Sequence, residues 1–425
     1  MITDNIVLYR NLAQDCLLNG ILGLMEDGRK EEAAALCGSL VEISDRLGFT
    51  GNLYHAYITY LLVNDENSFS TASELRDQVT GTLNLLALKD LEIIFGIFHK
   101  DISLLDEKYG MSCFSLLADY KEESGNTKTF NARIRDRILD LSEKLFKSSN
   151  PAECLKHLSM FYHDFGVGSF GLNKAFRIAE KEGGDFDIVP ITRIAHVNLS
   201  DLVGYEDAKK KLKDNTEAFV SGRKANNCLL FGDAGTGKSS SIKGIMNEYY
   251  ERGLRLIEIY RHQFKYLNDV VARIKNRNYK FIIYMDDLSF EDTETEYKYL
   301  KALIEGGLER KPDNILIYAT SNRRHLVHEN FSDKLDRREN DDIHESDTVQ
   351  EKLSLYNRFG VTIYFGRPSP KDFKEIVLVL AKRYGVKMKE EELLLEANRW
   401  ELSHGGLSGR TAAQFIDYIL GTVEI

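Results

Sequence analysis

The chain has 425 residues, 43% of them hydrophobic and 29% charged, with a net charge of −10. That length exceeds one ordinary core and predicts two or three domains of a soluble, globular kind. The acidic balance argues against a protein that simply coats nucleic acid, although a local basic patch stays compatible with it.

Met1-Ile2-Thr3-Asp4 shows no secretory pattern, and no apolar run approaches membrane-spanning length. Cys16, Cys37, Cys113, Cys154 and Cys228 are scattered without a C-x-x-C pair. They read as reduced thiols, so a cytoplasmic location is expected and no membrane partner.

Only Pro151 occurs before Pro190, which suits helices, because proline removes a backbone donor and clashes within a helix. Ile6, Tyr9, Leu12, Ala13, Cys16 and Leu17 recur at three- and four-residue steps, as do Ile134, Ile138, Leu141 and Leu145. Turn signals at Gly28, Gly48 to Gly51, Gly110 and Gly125-Asn126 separate such segments. Residues 1–185 therefore read as an all-α N-terminal domain of about seven or eight helices, with Lys181-Glu182-Gly183-Gly184-Asp185 as a linker. Phe161, Tyr162 and Phe165 read as core.

After the linker, strands alternate with helices. The expected strands are Cys228–Phe231, Leu254–Tyr260, Phe281–Met285, Ile315–Ala319 and Val361–Phe365. The intervening helices are Ser239–Glu251, Gln263–Lys275 and Glu294–Glu309. This rhythm predicts an α/β core over 186–366 with a five-stranded parallel sheet. Residues 367–425 return to helices and read as a lid. Lys209-Lys210-Lys211-Leu212-Lys213 reads as the solvated face of a helix, and the charged insertion 336–347 as a mobile loop. His325 and His328 lack a third ligand nearby, so a metal site there is not expected.

Gly232-Asp233-Ala234-Gly235-Thr236-Gly237-Lys238-Ser239 fits G-x-x-x-x-G-K-[ST], the phosphate-binding loop. It follows a strand-like run and leads into a helix, with Ser240 next in line. Glycines let the backbone curl so that its N–H groups converge on phosphate oxygens, and the helix adds its positive end. Lys238 would reach the β- and γ-phosphates, and the Ser239 hydroxyl would hold Mg²⁺. Asp286-Asp287 ends an apolar strand 48 residues after Lys238, the Walker B arrangement. Asp286 is expected on the metal and Asp287 on the attacking water. A third strand ends in Thr320-Ser321-Asn322, where Asn322 is placed to orient that water. No Asn-Lys-x-Asp guanine motif follows, which disfavours a GTPase.

These motifs resemble those of the AAA+ ATPases. Thr320-Ser321-Asn322 resembles sensor 1. Leu199 to Tyr205, with Val203, resembles the segment lining the adenine pocket. Gly406-Leu407-Ser408-Gly409-Arg410 opens a lid helix, where Arg410 resembles sensor 2. Asn357-Arg358-Phe359-Gly360 precedes the last strand, where initiator and helicase-loader members carry their arginine finger; Arg323 and Arg324 are rivals for that role. Met285 to Glu291 and Tyr318 to Leu326 are similar to an uncharacterised bacterial AAA+ family, domain-of-unknown-function family eight-fifteen. The resemblance covers about residues 195–425.

The resemblance implies ATP and Mg²⁺, hydrolysis that drives remodelling or loading of a macromolecular partner, and a homo-oligomer, a hexameric ring being one form. It implies a finger supplied by a neighbouring subunit. The helical first domain is expected to engage an unidentified protein partner. One departure matters: most AAA+ hydrolases end Walker B in Asp-Glu, and this chain in Asp286-Asp287. That leaves open slower hydrolysis, or help from Glu291. It also keeps two other readings open: an ATP-gated binding module with little turnover, and helicase-loader-like handling of nucleic acid.

Overall fold

The structure is a computed structural model that describes residues 2–26, 28, 30–76, 78–121, 131–192, 194, 197–290, 296–305, 312–322 and 357–422. The chain divides into two compact units, Met1–Asn173 and Lys174–Ile425. No helix among the described residues is long and apolar enough to cross a membrane.

The first unit contains eleven α-helical segments among the described residues, more than periodicity suggested. Segments such as Arg10–Ala13, Phe114–Ala118 and Gly168–Leu172 span barely one turn, too short to repeat a pattern. The longer helices start where side chains can satisfy the first free N–H groups. Asn52 caps Leu53–Asn64, Asn67 closes a capping box on Ser68–Leu75, and Asn150 caps Pro151–Phe165 with Pro151 in its first turn. Buried Asp90 accepts backbone N–H groups from Val7 at 2.9 Å, Leu8 at 2.6 Å and Tyr9 at 3.3 Å, fastening the N-terminal segment to the helix Thr82–Phe98. Phe161 and Tyr162 lie in the core, and the Tyr162 hydroxyl donates to the Leu62 carbonyl at 2.8 Å.

His55 is 8% exposed and stacks on Phe98 with ring centroids 4.5 Å apart. Burial depresses its imidazole from 6.5 to about 4, and nearby His99 acts in the same direction. A group with a lowered folded pKa gives its full stability above the unfolded value; that stability is lost as pH falls through the window to the folded value. Between pH 6.5 and 4 this unit is expected to lose about 3 kcal/mol through His55 alone. Urea titrations followed by circular dichroism across that window will show the loss. His55→Phe should remove it, and parallel curves for the two proteins would refute the assignment.

The second unit is built on a seven-stranded sheet in the order β2-β1-β4-β5-β6-β3-β7. The strands are β1 (Ala175–Glu180), β2 (Phe186–Pro190), β3 (Cys228–Gly232), β4 (Leu254–Glu258), β5 (Lys280–Met285), β6 (Ile315–Ser321) and β7 (Val361–Phe365). The five expected strands are present and run parallel through β4, β5, β6, β3 and β7. Two more extend the sheet: β1 pairs parallel with β4, and β2 returns antiparallel to β1. The expected linker is thus corrected. Lys181–Asp185 is the turn of that hairpin, with Gly183 and Gly184 at φ 91° and 85°, and Lys181 N–H bonds the Asp185 carbonyl at 2.8 Å. The second unit therefore begins at Lys174 rather than near residue 186.

The expected helix over 263–275 is a 3-10 stretch, Arg261–Tyr266, followed by the helix Leu267–Ile274. The helix Glu206–Val220 is tied to the sheet through Tyr318, whose hydroxyl meets Asn215 Nδ2 at 3.0 Å and Thr216 Oγ1 at 2.8 Å. Two lysines of the basic run are engaged locally: Lys209 donates to the Leu202 carbonyl at 2.7 Å, and Lys213 pairs with Glu248 at 2.6 Å. Three helices form the lid: Pro370–Tyr384, Glu390–Ser403 and Gly409–Thr422. Ser369 and Asp372 make a reciprocal capping box at the first. Their core holds Phe373, Val377, Leu393, Phe415 and Ile416, with Trp400 packed against it. The Trp400 ring stacks on His404 with centroids 3.8 Å apart and an angle of 3°. A mostly parallel α/β core is thus followed by a helical lid.

Candidate nucleotide site

Cys228 to Phe231 of β3 are all buried, which makes a stiff strand aimed at the loop that follows. Gly232 ends it at φ 134°, and a Cβ there would sit 2.1 Å from the Phe365 carbonyl oxygen of β7. Only glycine fits both demands. Gly232→Ala is expected to destabilise the second unit by about 1–3 kcal/mol, through strain and displacement of β7. A melting temperature unchanged from wild type would contradict that.

Gly235 and Gly237 adopt φ 74° and 92°, the left-handed turns that bring the chain to the helix Lys238–Tyr249. Lys238 is 6% exposed and folds back over its own loop. Its Nζ donates to the carbonyls of Gly232 at 2.9 Å and Asp233 at 2.6 Å, and to Asn322 Oδ1 at 2.9 Å. Burial lowers the Lys238 pKa, against the pull of Asp233, Asp287 and Asp286 and with the help of Arg410.

The ends of β5 and β6 supply the facing groups. Ser239 Oγ donates to Asp286 Oδ1 at 2.7 Å, and Thr320 Oγ1 donates to the same oxygen at 2.5 Å. Burial pushes the Asp286 carboxyl up, but the hydrogen bonds from Thr320 and Ser239 outweigh it and hold the pKa below the ordinary value. Asp286 thus stays ionised. Asp287 sits at φ 50°, its N–H donating to Thr320 Oγ1 at 2.9 Å. Asn322 Nδ2 donates to Asp287 Oδ1 at 2.8 Å. Asn322 therefore bridges Lys238 and Asp287 with the two ends of one amide.

The lid completes the site. Arg410 N–H donates to the Gly235 carbonyl at 3.2 Å. A Cβ on Gly235 would lie 3.0 Å from Ser408 Oγ, so the lid helix starts directly on the phosphate loop. Between core and lid lies a cavity of about 680 Å³, within the range of small-molecule sites. Ala234, Gly235, Thr236, Gly237, Lys238, Ser239 and Ser240 line it, with Val203, Asp286, Asp287, Asn322 and Arg410. Its apolar wall includes Ile376, Leu380 and Tyr384. Their four-residue spacing on one lid helix is plain in the sequence, but nothing there points it at a ligand. Thr320, which bonds Asp286 and the Asp287 N–H, and Tyr205, at φ 59° with its hydroxyl on the Gly366 carbonyl at 2.8 Å, lie in motif segments of the sequence that give them no role of their own.

Not every expected residue lines this cavity. Gly232 and Asp233 line a smaller hollow of about 530 Å³ with Phe231, Asn322 and Tyr364. Arg358 is half-buried, shortly before β7, and is not among the cavity's lining residues. Glu291, Arg323, Arg324, His325, His328 and the insertion 336–347 lie outside the described residues.

No protein of curated function matches the chain. Among solved structures, a mutant of Thermotoga maritima RuvB is similar at 18% identity and a TM-score of 0.37, over 52% of this chain and 64% of that one. The chain therefore spans less than two thirds of that protein. A second mutant of the same protein matches at 14% identity and a TM-score of 0.34, over 52% of this chain and 71% of that one. A structure of the RuvB Holliday junction branch migration motor from the same organism matches at 14% and 0.31, with the same 52% and 71% coverage. The family described as protein of unknown function, DUF815, matches residues 172–423, more than half of the sequence, and the chain belongs to that family.

Proposed function

We propose that the second unit binds ATP and hydrolyses it, working as a homo-oligomer that applies the resulting movement to a macromolecular partner. The observation that carries this reading is one convergence. Lys238, the Ser239–Asp286 pair and the Asp287–Asn322 pair meet at the ends of three neighbouring strands, facing Arg410 across a cavity of nucleotide size.

In this reading Lys238 exchanges the Gly232 and Asp233 carbonyls for the β- and γ-phosphates. The Ser239 hydroxyl and the ionised Asp286 carboxylate are hard oxygen donors, which suit Mg²⁺. A cation held by these two oxygens would supply positive charge against the phosphates. Asp287 takes a proton from the attacking water as its oxygen bonds to the γ-phosphorus and the bond to the β-phosphate oxygen breaks. Asn322 holds Asp287 in line. Val203, Ile376, Leu380 and Tyr384 give the base an apolar seat. Arg410 meets the γ-phosphate from the lid. Arg358, absent from the lining of its own cavity, serves a neighbouring subunit. The helical first unit carries the movement to a protein partner.

A second reading has support of its own: Asp287 in place of a glutamate, already held by Asn322, suits an ATP-gated binding module with slow turnover. Phosphate release per chain, measured with ATP and Mg²⁺ across protein concentration, separates the two. A rate that rises with concentration is expected from sites completed between subunits. A rate at background throughout would sink the hydrolase reading and favour the module.

A further inference from the structure

Arg367, two residues after β7, has no part in the site as described so far. Its backbone N–H donates to Asp233 Oδ2 at 2.9 Å, Asp233 being the second residue of the phosphate loop. Its guanidinium Nη2 donates to the Gly405 carbonyl at 3.3 Å, in the turn that precedes the last lid helix. Asp233 is itself a junction within the loop: its N–H bonds the Phe365 carbonyl at 3.1 Å. Its carbonyl accepts Thr236 Oγ1 at 2.8 Å and Lys238 Nζ at 2.6 Å.

The lid side of this contact has a shaped seat. Gly405 and Gly406 hold φ 90° and 84°, so two successive residues need the left-handed freedom of glycine. A Cβ on Gly406 would lie 2.6 Å from Arg367 Nη2, so the missing side chain makes room for the guanidinium. Four residues later, Arg410 N–H reaches the Gly235 carbonyl at 3.2 Å. The phosphate loop is thus joined to the lid twice: from Asp233 through Arg367 to Gly405, and from Gly235 to Arg410.

We propose that Arg367 is a positioning residue that sets the Gly405–Gly406 turn against the phosphate loop and so fixes the reach of Arg410 toward the γ-phosphate. This rests on the ATP-binding reading above. When Lys238 leaves the Asp233 carbonyl for a phosphate, the same residue that lost a partner still holds the Arg367 backbone, and the change passes to the lid. Arg367 is exposed and its guanidinium contact is long, so its removal costs the fold little while shifting the placement of Arg410.

The test compares affinities for ADP and for a non-hydrolysable β,γ-imido analogue of ATP, both with Mg²⁺, by calorimetry on the full chain. Arg367→Ala should leave ADP affinity within about twofold and weaken the analogue about fivefold, the scale of one hydrogen bond. In an Arg410→Ala background, Arg367→Ala should have no further effect, because it acts only through that arginine. Equal weakening for both nucleotides, or effects that add to those of Arg410→Ala, would overturn the proposal. Arg367→Met carries the same expectations if the alanine variant fails to fold. Wild-type protein that binds neither nucleotide would remove the ATP-binding reading and this one with it, an outcome distinct from unchanged discrimination in Arg367→Ala.

Discussion

Lys238→Ala will weaken ATP binding by a hundredfold or more, on the basis that each charge-assisted hydrogen bond to phosphate contributes about 1.5–3 kcal/mol. The fold prepares this dependence. The ammonium is nearly buried and held by two carbonyls and Asn322, so it waits beside the loop with little freedom left to lose. Burial also lowers its pKa. An arriving phosphate supplies the negative charge that the carbonyls only approximate. The same substitution removes a partly compensated buried charge, so the empty protein should lose little stability. Calorimetry with ATP and a thermal melt of the empty protein make the comparison. Undiminished ATP affinity in Lys238→Ala would rule out the phosphate loop as the nucleotide site.

Asp287→Asn will lower ATP turnover by about two to four orders of magnitude, the contribution typical of a positioned general base, and leave ATP affinity close to wild type. The amide keeps the size of the side chain and loses the charge that accepts a proton. Asp287→Glu is the more informative companion. It restores the residue that AAA+ families favour, yet Asp287 sits at φ 50°, a backbone that aspartate adopts far more readily than glutamate. Glutamate is therefore expected to strain the turn and break the Asn322 contact, giving slower turnover than wild type. A faster Asp287→Glu enzyme would show that the short acid, and not the backbone, limits the rate. The departure from Asp-Glu then reads as the backbone's choice: the turn that lets Asp287 N–H bond Thr320 selects the residue that follows Asp286.

The parts of the molecule legible in the sequence are those set by neighbours along the chain. The phosphate loop is a fixed spacing within eight residues, and its strand and helix stand directly on either side. The five strands β3 to β7 are apolar runs of the right length. The β1–β2 hairpin was missed because Lys181-Glu182-Gly183-Gly184-Asp185 has the composition of both a tether and a turn. Only the pairing of β1 with β4, far along the chain, decides between them. The role of Thr320 is not legible in its motif because its two bonds reach Asp286 and Asp287 at the end of another strand. Arg367 escapes notice because its partners lie 134 residues before it and 38 after. A motif search sees spacing; such residues owe their place to folding alone.

Trp400 is the single tryptophan of the chain. It lies in the lid, face to face with His404, immediately before the Gly405–Gly406 turn. Its emission therefore comes from one place. The protein thus carries an intrinsic optical gauge of its own lid. Shifts in that signal on adding nucleotide can be followed in real time without attaching a dye.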